Sequence, residues 1–187
     1  GPADAVLQYG DQPTPTAGPG EVLVKLAFAG VNPSDVKKRA GAFPNLLDQG
    51  LIIPNSDGSG TIVAVGDGVS EKRIGERVFV YQGQYGRRLG TTAEYIAIDE
   101  RRAPRLPETA DLAVAACIGI PIMTAHRCVF ADGPVADHRL LITGGAGRVG
   151  FYAIQWAKHA GATVIATASN ETDRELCLSL GADHVVN

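Results

Sequence analysis

A short apolar run, Leu140-Leu141-Ile142, leads into Gly144-Gly145-Ala146-Gly147-Arg148-Val149-Gly150, and an amphipathic helical pattern follows. Few arrangements accommodate a strand, a glycine-rich turn and a helix in such close succession. The spacing of Gly145, Gly147 and Gly150 is that of a loop that cradles the pyrophosphate of a dinucleotide. It predicts the tight turn at Gly145, close backbone approach to the phosphates at Gly147, and helix-on-strand packing at Gly150. The free N–H groups and positive dipole end of the following helix would face the anion. The loop therefore implies a parallel α/β layer in this part of the chain.

The remaining composition narrows the classes. With 187 residues there is room for one large or two small domains, and 45% hydrophobic with 20% charged residues is ordinary for a globular protein. No stretch approaches the ~18 apolar residues of a membrane span, and no signal-peptide pattern opens the chain. The formal charge of −3 comes without a basic block, which argues against nucleic acid as the main partner. Cys117, Cys128 and Cys177 are scattered, without a CxxC or a His/Cys cluster, and read as reduced thiols of a cytoplasmic protein.

Pattern divides the chain in two. Residues 1 to about 105 are punctuated by Gly and Pro, and short strands are expected at Val22–Phe28, Gly60–Gly66, Arg77–Tyr81 and Ala93–Ile98. Such a run suggests an antiparallel barrel or sandwich. Beyond Leu106, Thr109 can cap a helix starting at Ala110, and Pro121 can break it and start another, reaching about Phe130. A strand at 139–143, a helix to about Ala160, a strand Thr163–Ala168, a helix capped by Asn170 and a third strand from His184 complete a β-α-β-α-β series. A full dinucleotide fold has two such halves, so the sequence reads as carrying only the first.

Several segments share their order with one known family. They are Pro19-Gly20-Glu21-Val22-Leu23-Val24, Ala29-Gly30-Val31-Asn32-Pro33-Ser34-Asp35, the Ser56–Gly66 run, Gly75-Glu76-Arg77-Val78, Ala93-Glu94-Tyr95 and the glycine loop. The chain resembles the medium-chain dehydrogenase/reductase superfamily, and within it the zinc-free quinone oxidoreductase branch. The resemblance implies a GroES-like barrel catalytic domain over residues 1–108, short of its first strand and its C-terminal return. It also implies the first half of a Rossmann domain over 109–187, with linking helices at 109–130. Further implications are NADPH as cofactor, a quinone or enone acceptor, and a homodimeric full-length protein in the cytoplasm. An enone or enoyl-thioester reductase and a non-enzymatic, crystallin-type nucleotide-binding protein are the alternatives.

Zinc-dependent relatives carry Cys, His and Cys at positions that correspond here to Asn32, Ser56 and Ile120, and residues 82–92, where a structural zinc lobe would lie, contain no Cys. Zinc is held by thiolate, imidazole or carboxylate, so no metal is expected. Without a Lewis acid, a quinone or activated enone is the easiest acceptor.

Asn32 and Asp35 fall in the family's active-site loop. Asn32 can donate to the acceptor oxygen or fix the turn before Pro33. Gly145, Ala146, Gly147, Arg148 and Val149 should line the pyrophosphate, although Arg148 can equally point to solvent. Ser169, Asn170 and Arg174 suit a 2′-phosphate, with Asp173 standing where the branch often has a basic residue. Arg174 can instead be an ordinary solvated helix residue. Thr124 matches a position beside the nicotinamide, or is a helix hydroxyl bonding its own backbone. Tyr81, Gln84, Tyr85, Arg87 and Arg88 either frame a flat acceptor, with Tyr81 and Tyr85 as its aromatic walls, or form plain surface.

Overall fold

The computed structural model describes residues 1–43 and 50–187, which form two compact units, Gly1–Ile120 and Pro121–Asn187. In the first unit a short helix α1 (Ala3–Val6) precedes β1 (Glu21–Gly30), α2 (Pro33–Arg39), β2 (Asp57–Val65), β3 (Arg77–Val80) and β4 (Tyr95–Asp99). The strands pair antiparallel in the order β3-β2-β1-β4. Period-two alternation sends Val22, Val24, Ile62, Val78, Val80, Ile96 and Ile98 into one core, each at most 2% exposed.

Two irregularities in the β1–β2 register, at Leu23/Val24 and Leu26/Phe28, precede the paired ends Gly30 and Asp57. The segments carrying Asn32 and Ser56 meet the sheet at these ends. Gly30 admits no side chain, because a Cβ there would collide with the carbonyl oxygen of Ala116.

Residues 109–120, part of the expected linking segment 109–130, pack with the first unit. The contacts that hold them there include the following. Gly30 backs onto Ala116, Ser59 Oγ donates to the Leu112 carbonyl at 2.5 Å, and the Ile120 N–H reaches the Asp57 carboxylate at 2.7 Å. The helix expected from Ala110 begins later, as α3 (Leu112–Ala115). Its cap is Asp111 rather than Thr109, and the Asp111 carboxylate accepts from the Ala113 and Val114 N–H groups. Next comes α4 (Gly119–Phe130), with Pro121 in its first turn, where a missing N–H costs nothing.

The second unit holds β5 (Arg139–Ile142), α5 (Arg148–His159), β6 (Thr163–Thr167), α6 (Glu171–Ser179) and β7 (His184–Val186). The three strands are parallel in the order β5-β6-β7. Gly150, Ala153, Ile154 and Ala157 form the buried stripe of α5, and Ile154 and Ala157 pack with Val164, Ala166 and Cys177. Gly161, at φ +86°, stops α5 as expected. Among the described residues no helix is long and apolar enough to cross a membrane.

Candidate functional site

The first unit gathers a buried polar cluster where β1 and β2 end. Asn32 caps α2 and Pro33 occupies its first position. Asp35, on the same turn, accepts the Asn32 backbone N–H through Oδ2 at 2.8 Å. Asp57 is fully buried at the start of β2. Its Oδ2 accepts from Asn32 Nδ2 at 2.8 Å and from the Ile120 N–H at 2.7 Å. Its Oδ1 makes no hydrogen bond among the described residues. Thr91 Oγ1 donates to the Asp57 carbonyl at 2.6 Å, and Asn55 Nδ2 donates to the Gly30 carbonyl at 3.0 Å.

Burial pushes the Asp57 carboxyl up to about 6, against the opposing hydrogen bonds from Ile120 and Asn32. Nearby Asp35 raises it further, and Lys38 counteracts. Asp35 is also raised by burial, offset in part by the Asn32 N–H and by the Lys38 charge. Lys38 lies one turn beyond Asp35. Its Nζ donates to Ser56 Oγ at 3.3 Å and to Gln84 Oε1 at 3.1 Å.

The three positions compared above for zinc, Asn32, Ser56 and Ile120, thus meet around Asp57. Among the described residues no three His, Cys, Asp or Glu side chains gather as a metal site. Of the loop residues suggested for an acceptor, Gln84 is buried in the cluster. Tyr81 donates its hydroxyl to the Arg101 carbonyl at 3.0 Å, and Arg87 donates to the Ala97 carbonyl at 2.5 Å, so both are committed to backbone. Tyr85 is 67% exposed, with the Arg102 guanidinium 5.9 Å above its ring.

In the second unit, Gly144, Ala146, Gly147, Thr167, Ala168, Ser169, Asp173 and Asn187 line a cleft of about 380 Å³. The tight-turn role expected of Gly145 falls one residue earlier, while Gly147 and Gly150 keep their expected positions at the helix start and beneath the turn. Gly144, at φ +63°, carries the left-handed turn. Gly145 is instead the packing glycine of the strand end, since a Cβ there would lie 2.7 Å from Cys177 Sγ and 2.9 Å from Ala166 Cβ. Gly150 packs beneath the turn, where a Cβ would strike the Gly144 carbonyl. Thr167 ties the turn to β6. Its Oγ1 accepts the Gly144 N–H at 2.8 Å, and its carbonyl accepts the Gly145 N–H at 2.9 Å.

Gly147 caps α5 with no side chain, so the first N–H groups of that helix are left for an anion. Val149 is half-buried beside them and Arg148 is exposed on the first turn. Thr124, on α4, is exposed, and its hydroxyl makes no hydrogen bond among the described residues.

The far end of the cleft differs from expectation. Asn170 is occupied as the cap of α6, with Oδ1 accepting the Asp173 N–H at 2.9 Å and Nδ2 donating to Asp173 Oδ2 at 2.8 Å. Arg174 turns to Glu171 at 3.6 Å and is not part of the cleft lining, whereas Asp173 and the exposed Ser169 are.

Sequence reasoning missed Asp57, Asn55 and Lys38. The available signals were a carboxylate opening an otherwise small and apolar strand, and a lysine three residues after Asp35 on one helix.

Residues 18–108 match the family described as alcohol dehydrogenase GroES-like domain, and residues 149–187 match zinc-binding dehydrogenase. The second stretch contains none of the three positions compared for zinc. A chloroplastic NADPH-dependent alkenal/one oxidoreductase of Arabidopsis thaliana is 33% identical over 172 residues, which cover 89% of this chain and 45% of that protein. A quinone oxidoreductase of Mus musculus is 37% identical over 171 residues, covering 89% and 49%. Among solved structures, the Escherichia coli quinone oxidoreductase complexed with NADPH superposes with a TM-score of 0.78 at 28% identity, covering 95% of this chain and 53% of that one. The chain spans about half the length of these relatives.

Proposed function

Because the chain belongs to the medium-chain dehydrogenase/reductase superfamily, in its zinc-free quinone oxidoreductase branch, we propose that the protein containing it reduces a quinone or similar conjugated carbonyl with NADPH. The observation that carries this reading is the uncapped N-terminus of α5 above a turn built from Gly144, Gly145, Gly147 and Gly150. A Cβ at Gly145 or Gly150 would collide with its neighbours, and Gly144 takes a left-handed φ, so the turn keeps bare backbone for a pyrophosphate. The names of the Arabidopsis and Escherichia coli relatives support NADPH as the dinucleotide.

When bound, the dinucleotide supplies hydride. The chain's own residues bind and orient. The N–H groups of Arg148 and Val149 hold the pyrophosphate, and Ser169 receives the ribose end. Asn32 has committed one amide N–H to Asp57 and keeps the other for an acceptor oxygen. Asp35 and Asp57 are positioning groups, since their bonds run to Asn32 and to backbone. Thr124 stands near the nicotinamide, and Tyr85 supplies an aromatic wall for the acceptor. The protein acts as a homodimer.

An enone or enoyl-thioester acceptor is the second reading, favoured by the alkenal/one reductase relative. Titration of the full-length protein with NADPH and NADH, followed by turnover of matched quinones and enones, tests both. Quinones are expected to turn over faster. Tight NADPH binding without turnover of any acceptor would overturn the catalytic reading and favour a nucleotide-binding structural protein.

A further inference from the structure

We propose that the Lys38 ammonium, steadied by Ser56 and Gln84, is the cation that receives the negative charge developing on the acceptor's carbonyl oxygen. The inference rests on the hydride-transfer reading above and adds a catalytic residue to it.

Four observations carry it. The ammonium has neutral partners, Ser56 Oγ at 3.3 Å and Gln84 Oε1 at 3.1 Å. Among the described residues Lys38 forms no ion pair, so its charge is not spent on a carboxylate. Among the described residues two of its three N–H donors are used, which leaves one to give. Lys38 is only half-buried, while Gln84 and Ser56 are buried, so the charge is held by a fixed frame yet remains reachable.

The carboxylates that feel its charge are Asp35 on the same helix and Asp57 on β2, and Lys37 and Arg39 flank it on α2. Lys38 acts on both through space rather than by contact. The remaining Asn32 N–H belongs to the same cluster, tied to it through Asp57. A preorganised cation and an amide N–H in a partly dry site form an oxyanion-binding pair.

The step balances without a further reactant. The acceptor takes up hydride, a hydrogen nucleus with two electrons, and its π pair moves onto the carbonyl oxygen. The dinucleotide is oxidised by the same two electrons. Solvent supplies the proton that neutralises the oxygen, so Lys38 is charged at the start and at the end.

The test uses the full-length protein and two variants, Lys38→Met and Lys38→Arg. Wild-type turnover of the quinone panel checks the underlying reading separately. Loss of the cation is expected to lower kcat/KM by about 100-fold, the usual cost of one oxyanion donor, with Lys38→Arg recovering most of it. A second readout needs no dinucleotide. Bound 4-nitrophenol, whose colour reports its ionisation, should ionise about 1 pH unit lower in wild type than in solution, and not in Lys38→Met. Thermal unfolding of both variants separates a folding defect from lost charge. Equal nitrophenol ionisation in wild type and a folded Lys38→Met protein overturns the proposal.

Discussion

The carboxylate of Asp57 and the bare Cα of Gly119 share one small volume, because a Cβ on Gly119 would occupy the space of Asp57 Oδ1. The same carboxylate anchors the adjacent Ile120 N–H and Asn32 Nδ2 through its other oxygen. The start of α4 therefore fits Asp57 in shape as well as in hydrogen bonding. Gly119→Ala forces the carboxylate aside and strains both bonds. Overpacking of this kind typically costs about 1–3 kcal/mol. Urea unfolding of the variant measures it, and an unchanged midpoint would show that the carboxylate moves freely.

Stability should depend on pH through Asp57. Its folded value of about 6 lies above the ordinary 3.8, because burial disfavours the ionised form. Native protein then holds a proton that the unfolded chain has lost. Stability contributed by the protonated carboxyl is complete below pH 3.8 and declines as pH rises through about 6. The full swing is about 3 kcal/mol, from two pH units at 1.36 kcal/mol each. Asp35 acts in the same direction. Asp57→Asn should flatten the profile between pH 4 and 6.5 in denaturant titrations, and a profile identical to wild type would exclude Asp57 as its source.

The nucleotide turn tolerates no methyl group at Gly150, where a Cβ meets the Gly144 carbonyl and lies 2.8 Å from Gly145 Cα. Both obstacles are backbone, which cannot rotate away. Gly150→Ala should weaken dinucleotide binding at least tenfold in a fluorescence titration, equivalent to about 1.4 kcal/mol. Gly68→Ala is the matched control. It meets nothing within 4 Å, has positive φ (+84°), and belongs to the first unit, outside the set of residues that line the cleft. It should destabilise slightly and leave binding unchanged.

Asp173 lines the cleft, with its carboxylate accepting from Asn170 Nδ2. If the cleft takes the dinucleotide as proposed, this negative charge would oppose a 2′-phosphate. Asp173→Asn should tighten NADPH several-fold and leave NADH almost unchanged. Arg174→Ala, which removes a side chain paired to Glu171, should change NADPH affinity less than twofold if that pairing persists. A large loss on Arg174→Ala would show that the guanidinium swings to the phosphate when the cofactor binds.

Legibility followed sequence distance. Strand alternation at Val22 and Val24, the α6 cap at Asn170 and the stop at Gly161 are local, and the sequence displays each of them. The paired glycines at 144 and 145 are ambiguous, because either can take the left-handed turn and only the contact with Cys177 decides. Thr109 and Asp111 are both good caps, and packing of Leu112 and Ala116 against the sheet selects the second. The polar cluster draws on residues 32, 38, 57, 84 and 120, which no local pattern links. Topology alone brings Asp57 and Ile120 together across 63 positions of sequence.

Cys177 backs the nucleotide turn, fully buried, with its sulfur 2.7 Å from where a Gly145 side chain would begin. Burial also raises its thiol, away from the reactive thiolate. The sulfur thus works as a spacer of fixed size, sheltered from the redox chemistry that the proposed enzyme performs. Oxygen added to it by a strong oxidant would widen the spacer and push the turn outward. The protein would then lose its coenzyme before losing its fold, an inactivation marked by intact secondary structure and an empty cleft.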